Sequence, residues 1–228
     1  MNAISHWTIG CAVLAVASVG TPALAARATV DMRNAQAVSI DYVRANPGQQ
    51  YRLQTWYLQG ENKCLEGNLP NAAGNMFTGS FQDDCQNVTG QIWKIIPDQA
   101  GYFRLQTLQS AQVDRCLEGN QIGVLSALGG VTFMDRCKAA SGQLWRFVDA
   151  GRGYYHLTTQ FRERDNMCLE GNKRGPKAML LGMAHLAQCQ NVSGQFWRII
   201  LGSGGRPAPQ QFQPRSQPRA PVPQKELD

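Results

Sequence analysis

Three copies of one pentapeptide hold the carboxylates that offer this chain its clearest chemistry. Cys-Leu-Glu-Gly-Asn occurs three times, and its carboxylates belong to Glu66, Glu118 and Glu170. A carboxylate can accept short hydrogen bonds from hydroxyl groups, or it can act in acid–base catalysis. Glycoside hydrolysis needs two carboxyl groups about 5 to 9.5 Å apart, whereas equivalent residues of three equal repeats should be spread around a common axis. The pattern therefore favours binding over catalysis.

Other catalytic chemistries find no support in the residues. Gly-x-Ser-x-Gly does not occur, and the histidines beyond the apolar N-terminus are His156 and His185 alone. Serine and thiol enzymes need a nucleophile beside a base. Zinc sites are built from several Cys and His ligands, and the sequence contains no Cys-x-x-Cys. We therefore expect no enzyme activity, no metal and no cofactor.

The pentapeptide belongs to a longer unit that repeats every 52 residues without gaps. In each copy a second cysteine follows the first after 21 residues, and Gly-Gln-x-Trp comes next. An aromatic-x-Leu-x-Thr segment, beginning at Tyr51, Phe103 or Tyr155, precedes each copy. Such agreement indicates three equivalent structural units. Their cysteines are Cys64, Cys85, Cys116, Cys137, Cys168 and Cys189.

Each unit is predicted to hold four short strands separated by turns. In the first unit these are residues 51–55, a strand centred on Cys64 and Leu65, a strand near residues 76–82, and residues 92–96. The outer two show period-2 alternation, and no segment of twelve or more residues has clear helical spacing. Three units are too few for a propeller, and near-equal units lack the caps of a solenoid. We expect an all-β body that closes on itself and leaves no open edge.

Three units with Cys-Leu-acidic, a second cysteine and Gln-x-Trp resemble the ricin B-type lectin family. The resemblance covers about residues 50–201. It implies a β-trefoil of three four-stranded repeats and a carbohydrate-binding function, with glycans or glycoconjugates as partners. Because such trefoils often target a toxin or hydrolase, it leaves open a receptor-binding subunit with a catalytic toxin subunit as partner. A non-sugar interaction or inhibitor trefoil is a third alternative.

The cysteines of the repeats are interpreted as structural. Six cysteines allow 15 pairings, and the three-fold repetition favours one bond inside each unit: Cys64–Cys85, Cys116–Cys137 and Cys168–Cys189. An exported chain meets an oxidising environment. Each closed loop is expected to contribute about 3 kcal/mol in the chain-entropy model.

The resemblance also implies a sugar site, and this sequence departs from the pattern. In the family the acidic residue after Cys-Leu accepts bonds from sugar hydroxyls, and an aromatic of the third strand stacks on the ring. Here Asp83 stands where that aromatic often lies, and Gly90 replaces the asparagine before Gln-x-Trp. Galactose specificity is therefore not implied. The nearest aromatic candidates on the same strand face are Phe81, Phe133 and His185.

The first repeat is predicted to dominate binding. Trp56, Tyr57 and Phe81 add aromatic side chains that we expect beside Glu66. An aromatic face supplies apolar area at low cost in conformational entropy. The full set of predicted carbohydrate-binding residues is Glu66, Asn68, Trp56, Tyr57, Phe81, Asp83, Gln91, Glu118 and Glu170.

Structural roles compete with these assignments. Trp93, Trp145 and Trp197 are interpreted as core residues rather than ligand contacts. The glutamines of Gln-x-Trp are favoured as side chains that bond the backbone. The Glu-Gly-Asn triplets fit either three sugar sites or a turn that the fold needs three times, and both interpretations stay open.

The ends of the chain predict export. An apolar run at residues 12–19 is too short to span a bilayer, and Ala23-Leu24-Ala25 matches a signal-peptidase site. We expect residues 1–26 to be a signal peptide and residues 27–49 to be an N-terminal segment. Residues 202–228, rich in Pro, Gln and Arg, are expected to form a disordered tail.

The charge balance bears on partners. Lys and Arg number 22 against 16 Asp and Glu, a formal net charge of +6. So modest an excess of positive charge does not indicate a nucleic-acid-binding surface. We predict a secreted or periplasmic protein with no nucleic-acid partner and no transmembrane anchor.

Overall fold

The structure is a computed structural model that describes residues 28–67, 69, 78–120, 130–176 and 181–202. The predicted signal peptide, Asn68 and all but Gly202 of the predicted tail lie outside these residues.

The described residues form thirteen strands and three short α-helices. The strands are β1 (Ala37–Val38), β2 (Gln50–Thr55), β3 (Lys63–Gly67), β4 (Ser80–Asp84), β5 (Trp93–Pro97), β6 (Phe103–Thr107), β7 (Arg115–Glu118), β8 (Phe133–Arg136), β9 (Trp145–Gly151), β10 (Tyr154–Thr159), β11 (Met167–Glu170), β12 (His185–Gln188) and β13 (Trp197–Leu201). The helices are α1 (Ile40–Ala45), α2 (Trp56–Gln59) and α3 (Leu108–Ala111). Single 3₁₀ turns lie at Thr89–Gln91, Gln99–Gly101, Ser141–Gln143, Glu163–Asp165 and Ser193–Gln195.

Six strands close into an antiparallel barrel. Their order around the barrel is β2, β5, β6, β9, β10 and β13, and β13 returns to pair with β2. These are the first and fourth strands of the three repeats, so each repeat supplies one third of the barrel. Closure pairs every barrel strand on both sides and leaves no exposed edge for other chains to extend. The predicted all-β fold of three four-stranded repeats is confirmed.

Three hairpins cover one end of the barrel: β3–β4, β7–β8 and β11–β12. They meet in a ring of backbone hydrogen bonds that reflects the three-fold repeat. The amide of Ser80 donates to the carbonyl of Thr132 (2.8 Å), Thr132 to Ala184 (3.0 Å), and Ala184 to Ser80 (2.9 Å). The ring ties the three repeats together at their centre.

The third strand of the first repeat begins later than the sequence predicted. The prediction was residues 76–82, whereas β4 runs from Ser80 to Asp84. Asp83 and Asp84 extend the strand because they pair with Cys64 and Lys63 of β3. Residues 76 and 77 lie outside the described residues.

The three tryptophans of Gln-x-Trp lie in the core, as predicted. Trp93, Trp145 and Trp197 are all 0% exposed. Each indole N–H donates to the backbone carbonyl of the Cys-Leu leucine in its own repeat, at 2.9, 2.8 and 2.8 Å. A buried indole N–H needs such a partner. In each repeat the tryptophan thus fills part of the barrel interior and ties the fourth strand to the second.

The three predicted disulfides are present. Cys64–Cys85, Cys116–Cys137 and Cys168–Cys189 each join residues 21 apart in the chain. Each bond joins the second strand of a repeat to the residue after its third strand, and so holds the hairpin beside the Gln-x-Trp turn. The pairing follows from the repeat itself.

The N-terminal segment packs along the barrel. β1 pairs with β13, and α1 begins after Ser39, whose side chain accepts the amide of Tyr42 at 3.1 Å. The Arg198 guanidinium donates to backbone carbonyls of the segment, including Met32 (2.5 Å) and Ala35 (3.1 Å). These bonds fix residues 32–35 against the last strand of the third repeat.

Candidate functional site

The glutamate of each Glu-Gly-Asn triplet is bonded to the glutamine of Gln-x-Trp in the same repeat. The amide nitrogens of Gln91, Gln143 and Gln195 donate to the carboxylates of Glu66, Glu118 and Glu170 at 3.0, 2.9 and 3.0 Å. The same nitrogens also donate to a backbone carbonyl of the third strand, at 2.8, 2.9 and 2.9 Å. Each glutamine therefore orients its carboxylate.

These glutamines are structural side chains. Gln91 is 0% exposed, and its Oε1 accepts the backbone amide of Gln86 at 2.8 Å and the Arg52 guanidinium at 3.3 Å. With Glu66 and the carbonyl of Asp84 as acceptors, both amide hydrogens and both lone-pair positions are used. Gln91 was predicted to touch sugar as well, but its described bonds leave it no capacity to do so.

The glycine of each triplet is required by packing. A Cβ built on Gly119 would lie 2.8 Å from Trp145 Cη2 and 3.1 Å from Thr159 Cγ2. A Cβ on Gly171 would approach Trp197 Cη2 to 2.8 Å. The triplet therefore serves the fold in every repeat, and its presence three times does not by itself indicate three sugar sites.

The asparagine of the triplet holds the second carboxylate oxygen. Asn172 Nδ2 donates to Glu170 Oε1 at 2.5 Å, and its Oδ1 accepts the backbone amides of Arg174 (2.9 Å) and Gly175 (2.8 Å). Asn120 donates to Glu118 in the same way. Asn68, the equivalent in the first repeat, was predicted as a binding residue and lies outside the described residues.

The residues after the first strand of each repeat pack on the Gln-x-Trp turn of another repeat. Trp56 N donates to Phe196 O at 2.9 Å. The equivalent bonds join Leu108 N to Ile92 O and Gln160 N to Leu144 O, both at 2.8 Å. A site around each glutamate is therefore completed by the following repeat, and the third repeat is completed by the first.

The expectation that Trp56 and Tyr57 lie beside Glu66 is wrong in its geometry. Both belong to the first repeat, but Tyr57 lines a cleft with Glu170, and Trp56 packs on Phe196 with ring centroids 5.9 Å apart. Cyclic closure of the barrel is the cause. The residue that takes this position near Glu66 is Gln109: a Cβ on Gly90 would lie 3.2 Å from Glu66 Oε1 and 3.3 Å from Gln109 Oε1.

Of the three glutamates, Glu170 is the strongest candidate for binding a ligand, because it lines an open cleft. This Glu170 cleft has a volume of about 310 Å³. Tyr57 lines this cleft and is 46% exposed, and Glu170 is partly exposed. The remaining lining residues all belong to the third repeat, and none of them was among the predicted binding residues. They are Asn172, Arg174, Val192, Ser193 and Gly194.

Glu118 and Glu66 are less accessible to a ligand than Glu170. Glu118 is 4% exposed, and the Lys138 ammonium lies 3.6 Å from its Oε2. A hydrogen bond to Asp135 is the main cause that raises the pKa of Lys138, with the charge of Glu118 adding to it, so this lysine stays charged. Glu66 is 8% exposed. A ligand would have to displace protein contacts at Glu118, and it would find little open surface at Glu66.

The third-strand candidates are the cross-strand partners of the glutamates. Phe81 is the cross-strand partner of Glu66, Phe133 of Glu118 and His185 of Glu170. However, Phe81 is partly buried against Val131 and Met183 near the centre of the cap, and His185 is 7% exposed. Burial lowers the pKa of His185. Phe81 and His185 therefore support the hairpins, and Phe133 is partly buried.

Asp83 does not join the network around Glu66. Its Oδ1 accepts the backbone amide of Asp84 at 2.8 Å, and its strand partner is Cys64. Its role in binding stays a prediction. Among the described residues no cluster of three His, Cys, Asp or Glu side chains could hold a metal ion.

Comparison with known proteins identifies the fold. No protein-family model and no curated protein sequence matches the chain. ThreeFoil, a designed 3-fold symmetric protein, matches with a TM-score of 0.52 and 18% identity over 66% of this chain and 97% of its own. The BEL β-trefoil matches with a TM-score of 0.50 and 9% identity over 68% and 94%. The fold is a β-trefoil.

A similar trefoil forms part of a larger protein. A mosquitocidal holotoxin matches with a TM-score of 0.54 and 12% identity, over 67% of this chain but only 17% of the holotoxin. Identities this low establish the trefoil architecture alone. No helix among the described residues is long and apolar enough to cross a membrane.

Proposed function

We propose that this trefoil is an exported carbohydrate-binding protein without catalytic activity, and that the Glu170 cleft holds the sugar. The supporting observation is that Tyr57, from the first repeat, lines the same cleft as Glu170, a partly exposed residue of the third. No equivalent combination surrounds Glu118, which is paired with Lys138.

The chemistry of the Glu170 cleft suits sugar hydroxyl groups. Each oxygen of Glu170 accepts one described side-chain bond, from Asn172 or from Gln195. A carboxylate oxygen can accept about two hydrogen bonds, so capacity for sugar hydroxyls remains. Because Asn172 and Gln195 fix the carboxylate before a ligand arrives, little conformational entropy is lost on binding.

The aromatic wall supplies the apolar part of the contact. The exposed face of Tyr57 can pack against the C–H groups of a pyranose ring, which adds buried area at small entropic cost. Ser193 and Arg174 line the same cleft and offer donors to further hydroxyls. Tyr57, one of the predicted binding residues, here takes the stacking role that the family resemblance gives to an aromatic of the third strand.

Export is supported by the cysteines. Three disulfides are typical of proteins that fold in an oxidising compartment. Secretion or periplasmic localisation agrees with the apolar N-terminal run and the small residues that follow it. Mass spectrometry of the protein made in a secreting host should find a mature N-terminus near Ala26 or Arg27.

A glycan array tests the proposed function. The parent protein should bind a restricted set of glycans, and Tyr57→Ala should lose that binding while it keeps the melting temperature of the parent, because Tyr57 is half exposed. Val113→Ala, at another exposed apolar side chain, is the matched control. If the parent binds no glycan, or if Tyr57→Ala binds the same set equally well, the proposal is wrong.

A second candidate is the receptor-binding subunit of a multi-chain toxin. The trefoil-like part of a holotoxin favours this candidate. In this case the glycan contact would serve targeting, and a catalytic chain would copurify with the trefoil from its native source. A trefoil that purifies alone and still agglutinates glycan-coated beads would favour an independent lectin.

A further inference from the structure

A second cleft lies beside the first and is built from different side chains. Trp56, Arg152, Tyr154, Asn191 and Phe196 line it, together with the backbone of the β9–β10 turn. Its volume is about 290 Å³, which is at the small end for ligand pockets and suits one sugar ring. We refer to it as the Trp56 cleft.

Trp56 differs from the tryptophans of the repeat motif. Its side chain is 50% exposed, whereas Trp93, Trp145 and Trp197 are 0% exposed. Its indole packs on Tyr154 and on Phe196, with centroids 5.9 Å away in both cases. The indole is thus held by two aromatic neighbours, and it lines the cleft while half of the residue stays exposed.

The aromatic support is itself fixed. The Tyr154 hydroxyl donates to Gln59 Oε1 at 2.7 Å, and Phe196 packs on His156 with centroids 5.0 Å apart. The backbone amide of Trp56 donates to Phe196 O at 2.9 Å. A ring held in this way can receive a ligand without losing side-chain entropy.

Arg152 supplies a cation at the rim of the Trp56 cleft. It lies in the β9–β10 turn with φ 56°, between Gly151 and Gly153, which also have positive φ. Asp149 is close in sequence, but its Oδ1 accepts the backbone amide of Gly151 at 2.9 Å. No carboxylate of the described residues lies within 4.0 Å of the Arg152 guanidinium.

We propose that the Trp56 cleft binds a carboxylated sugar, such as the hexuronic acid residue of an acidic glycan. The apolar face of the pyranose lies on the exposed indole, and the carboxylate pairs with Arg152, whose guanidinium matches carboxylate geometry in a bidentate manner. The side-chain amide of Asn191 lies at the same rim and can bond ring hydroxyls. Stacking selects a sugar ring, and the cation selects an acidic one.

This site goes beyond the proposed Glu170 cleft, because it uses none of that cleft's side chains. The two clefts nevertheless share their boundary: Trp56 and Asn191 line one, and Tyr57 and Val192 line the other. Consecutive sugars of one acidic oligosaccharide could therefore occupy both. Variants at Trp56 and Arg152 test the second cleft alone, and a variant at Glu170 tests the first.

Two uronate probes and their methyl esters provide the test. Calorimetric titration of the full chain uses trigalacturonic acid and a hyaluronan tetrasaccharide, each compared with its methyl ester, which keeps the rings and removes the charge. We expect the parent to prefer the acid form of at least one probe by about tenfold or more, the effect of one charge-assisted contact. Binding should also protect Trp56, the exposed tryptophan of the described residues, from acrylamide quenching.

Four variants and one charge control locate the effect. Trp56→Ala should weaken binding about tenfold or more, and Trp56→Phe, which keeps a ring, should lose less. Arg152→Gln should remove the preference for the acid, and Arg152→Lys should keep part of it. Arg164→Gln is the matched charge control, because the Arg164 side chain is 80% exposed and lies outside both clefts. Melting temperatures check that each variant is folded.

The outcomes separate the two proposals. If Trp56→Ala and Arg152→Gln weaken uronate binding while Glu170→Gln does not, the inference holds whatever becomes of the Glu170 cleft. If Glu170→Gln abolishes binding and the other two variants match the parent, the inference is overturned and the proposed function stands. Equal affinity for acid and ester, or no binding of either uronate probe, also overturns it.

Discussion

Tyr57 of the first repeat and Glu170 of the third line one cleft, although nearly half of the chain separates them. The contact exists because the barrel closes: β13 pairs with β2, and this places α2 on the Ser193–Gln195 turn. A site in this trefoil is therefore shared between repeats. The residues of one repeat alone therefore do not show which side chains surround its glutamate.

The Glu66–Gln91 hydrogen bond should be important for stability. Gln91→Leu removes the donor to a buried carboxylate and the acceptor for the Gln86 amide. Because buried groups left without partners cost about 1–3 kcal/mol each, we expect a loss of at least about 2 kcal/mol in the free energy of unfolding. Urea denaturation measures it, with exposed Gln49→Leu as the control. A loss no greater than in the control would mean that water replaces the glutamine.

Replacing a glycine of the Glu-Gly-Asn triplets by a residue with a side chain should destabilise the fold. Gly119→Ala forces a methyl group to within 2.8 Å of the Trp145 ring, and overpacking of this kind costs about 1–3 kcal/mol. Gly60→Ala is the matched control, because a Cβ there meets nothing within 4 Å. We expect thermal melting to show a clear drop for Gly119→Ala and none for Gly60→Ala. Equal melting temperatures would contradict the packing argument.

Stability should fall in mild acid because of His185. Burial lowers the pKa of His185 in the folded protein, and the opposing effect of the Glu170 charge is weaker. The unfolded chain therefore binds the proton more readily, so this contribution is complete above an unfolded pKa of about 6.5 and is lost as pH falls below it. Between pH 7 and pH 5 the melting temperature should fall less for His185→Gln than for the parent.

A comparison within the chain separates this effect from other titrations. Burial also lowers the pKa of His156, so His156→Gln should remove a further part of the acid sensitivity. Any fall of the melting temperature between pH 7 and pH 5 that remains in the His156→Gln/His185→Gln double variant comes from other titrating groups. An unchanged pH dependence in His185→Gln would show that this histidine does not titrate in the range.

Arg198 should hold the N-terminal segment on the barrel. Its guanidinium donates to the carbonyls of Met32, Arg33 and Ala35 and to the Gln54 side chain. A lysine has one compact ammonium and cannot reach all of these acceptors. Arg198→Lys should lose about 1–3 kcal/mol and speed amide hydrogen exchange in residues 30–38. Arg164→Lys is the control, and equal exchange in both would show that the segment is held by β1 alone.

The fold was largely predictable because its signals are local. Cys64, Cys85 and Trp93 recur at fixed spacing, so the disulfides, the core tryptophans and the four strands of each repeat followed from one pattern. Helix α1 was not predicted, because six residues are too few to show helical periodicity, and its start depends on the Ser39 cap.

The site was only partly predictable. Glu66 and Gln91 are bonded as neighbours in one repeat, but the partners of Tyr57 depend on which repeats meet when the barrel closes. Lys138 beside Glu118 depends on a side-chain conformation that no spacing reveals. The sequence therefore predicted the glutamates of the candidate sites, but it placed Trp56 and Tyr57 beside the wrong glutamate.

Calorimetric titration of three single variants tests the central claim most directly. Glu66→Gln, Glu118→Gln and Glu170→Gln keep size and remove one charge each, and the ligand is the strongest glycan from the array. We predict that Glu170→Gln loses about 1.5–3 kcal/mol, roughly tenfold or more in affinity, while the other two bind within a factor of about two of the parent. Equal losses at all three, or a loss at Glu66 with none at Glu170, would contradict the assignment of binding to the Glu170 cleft.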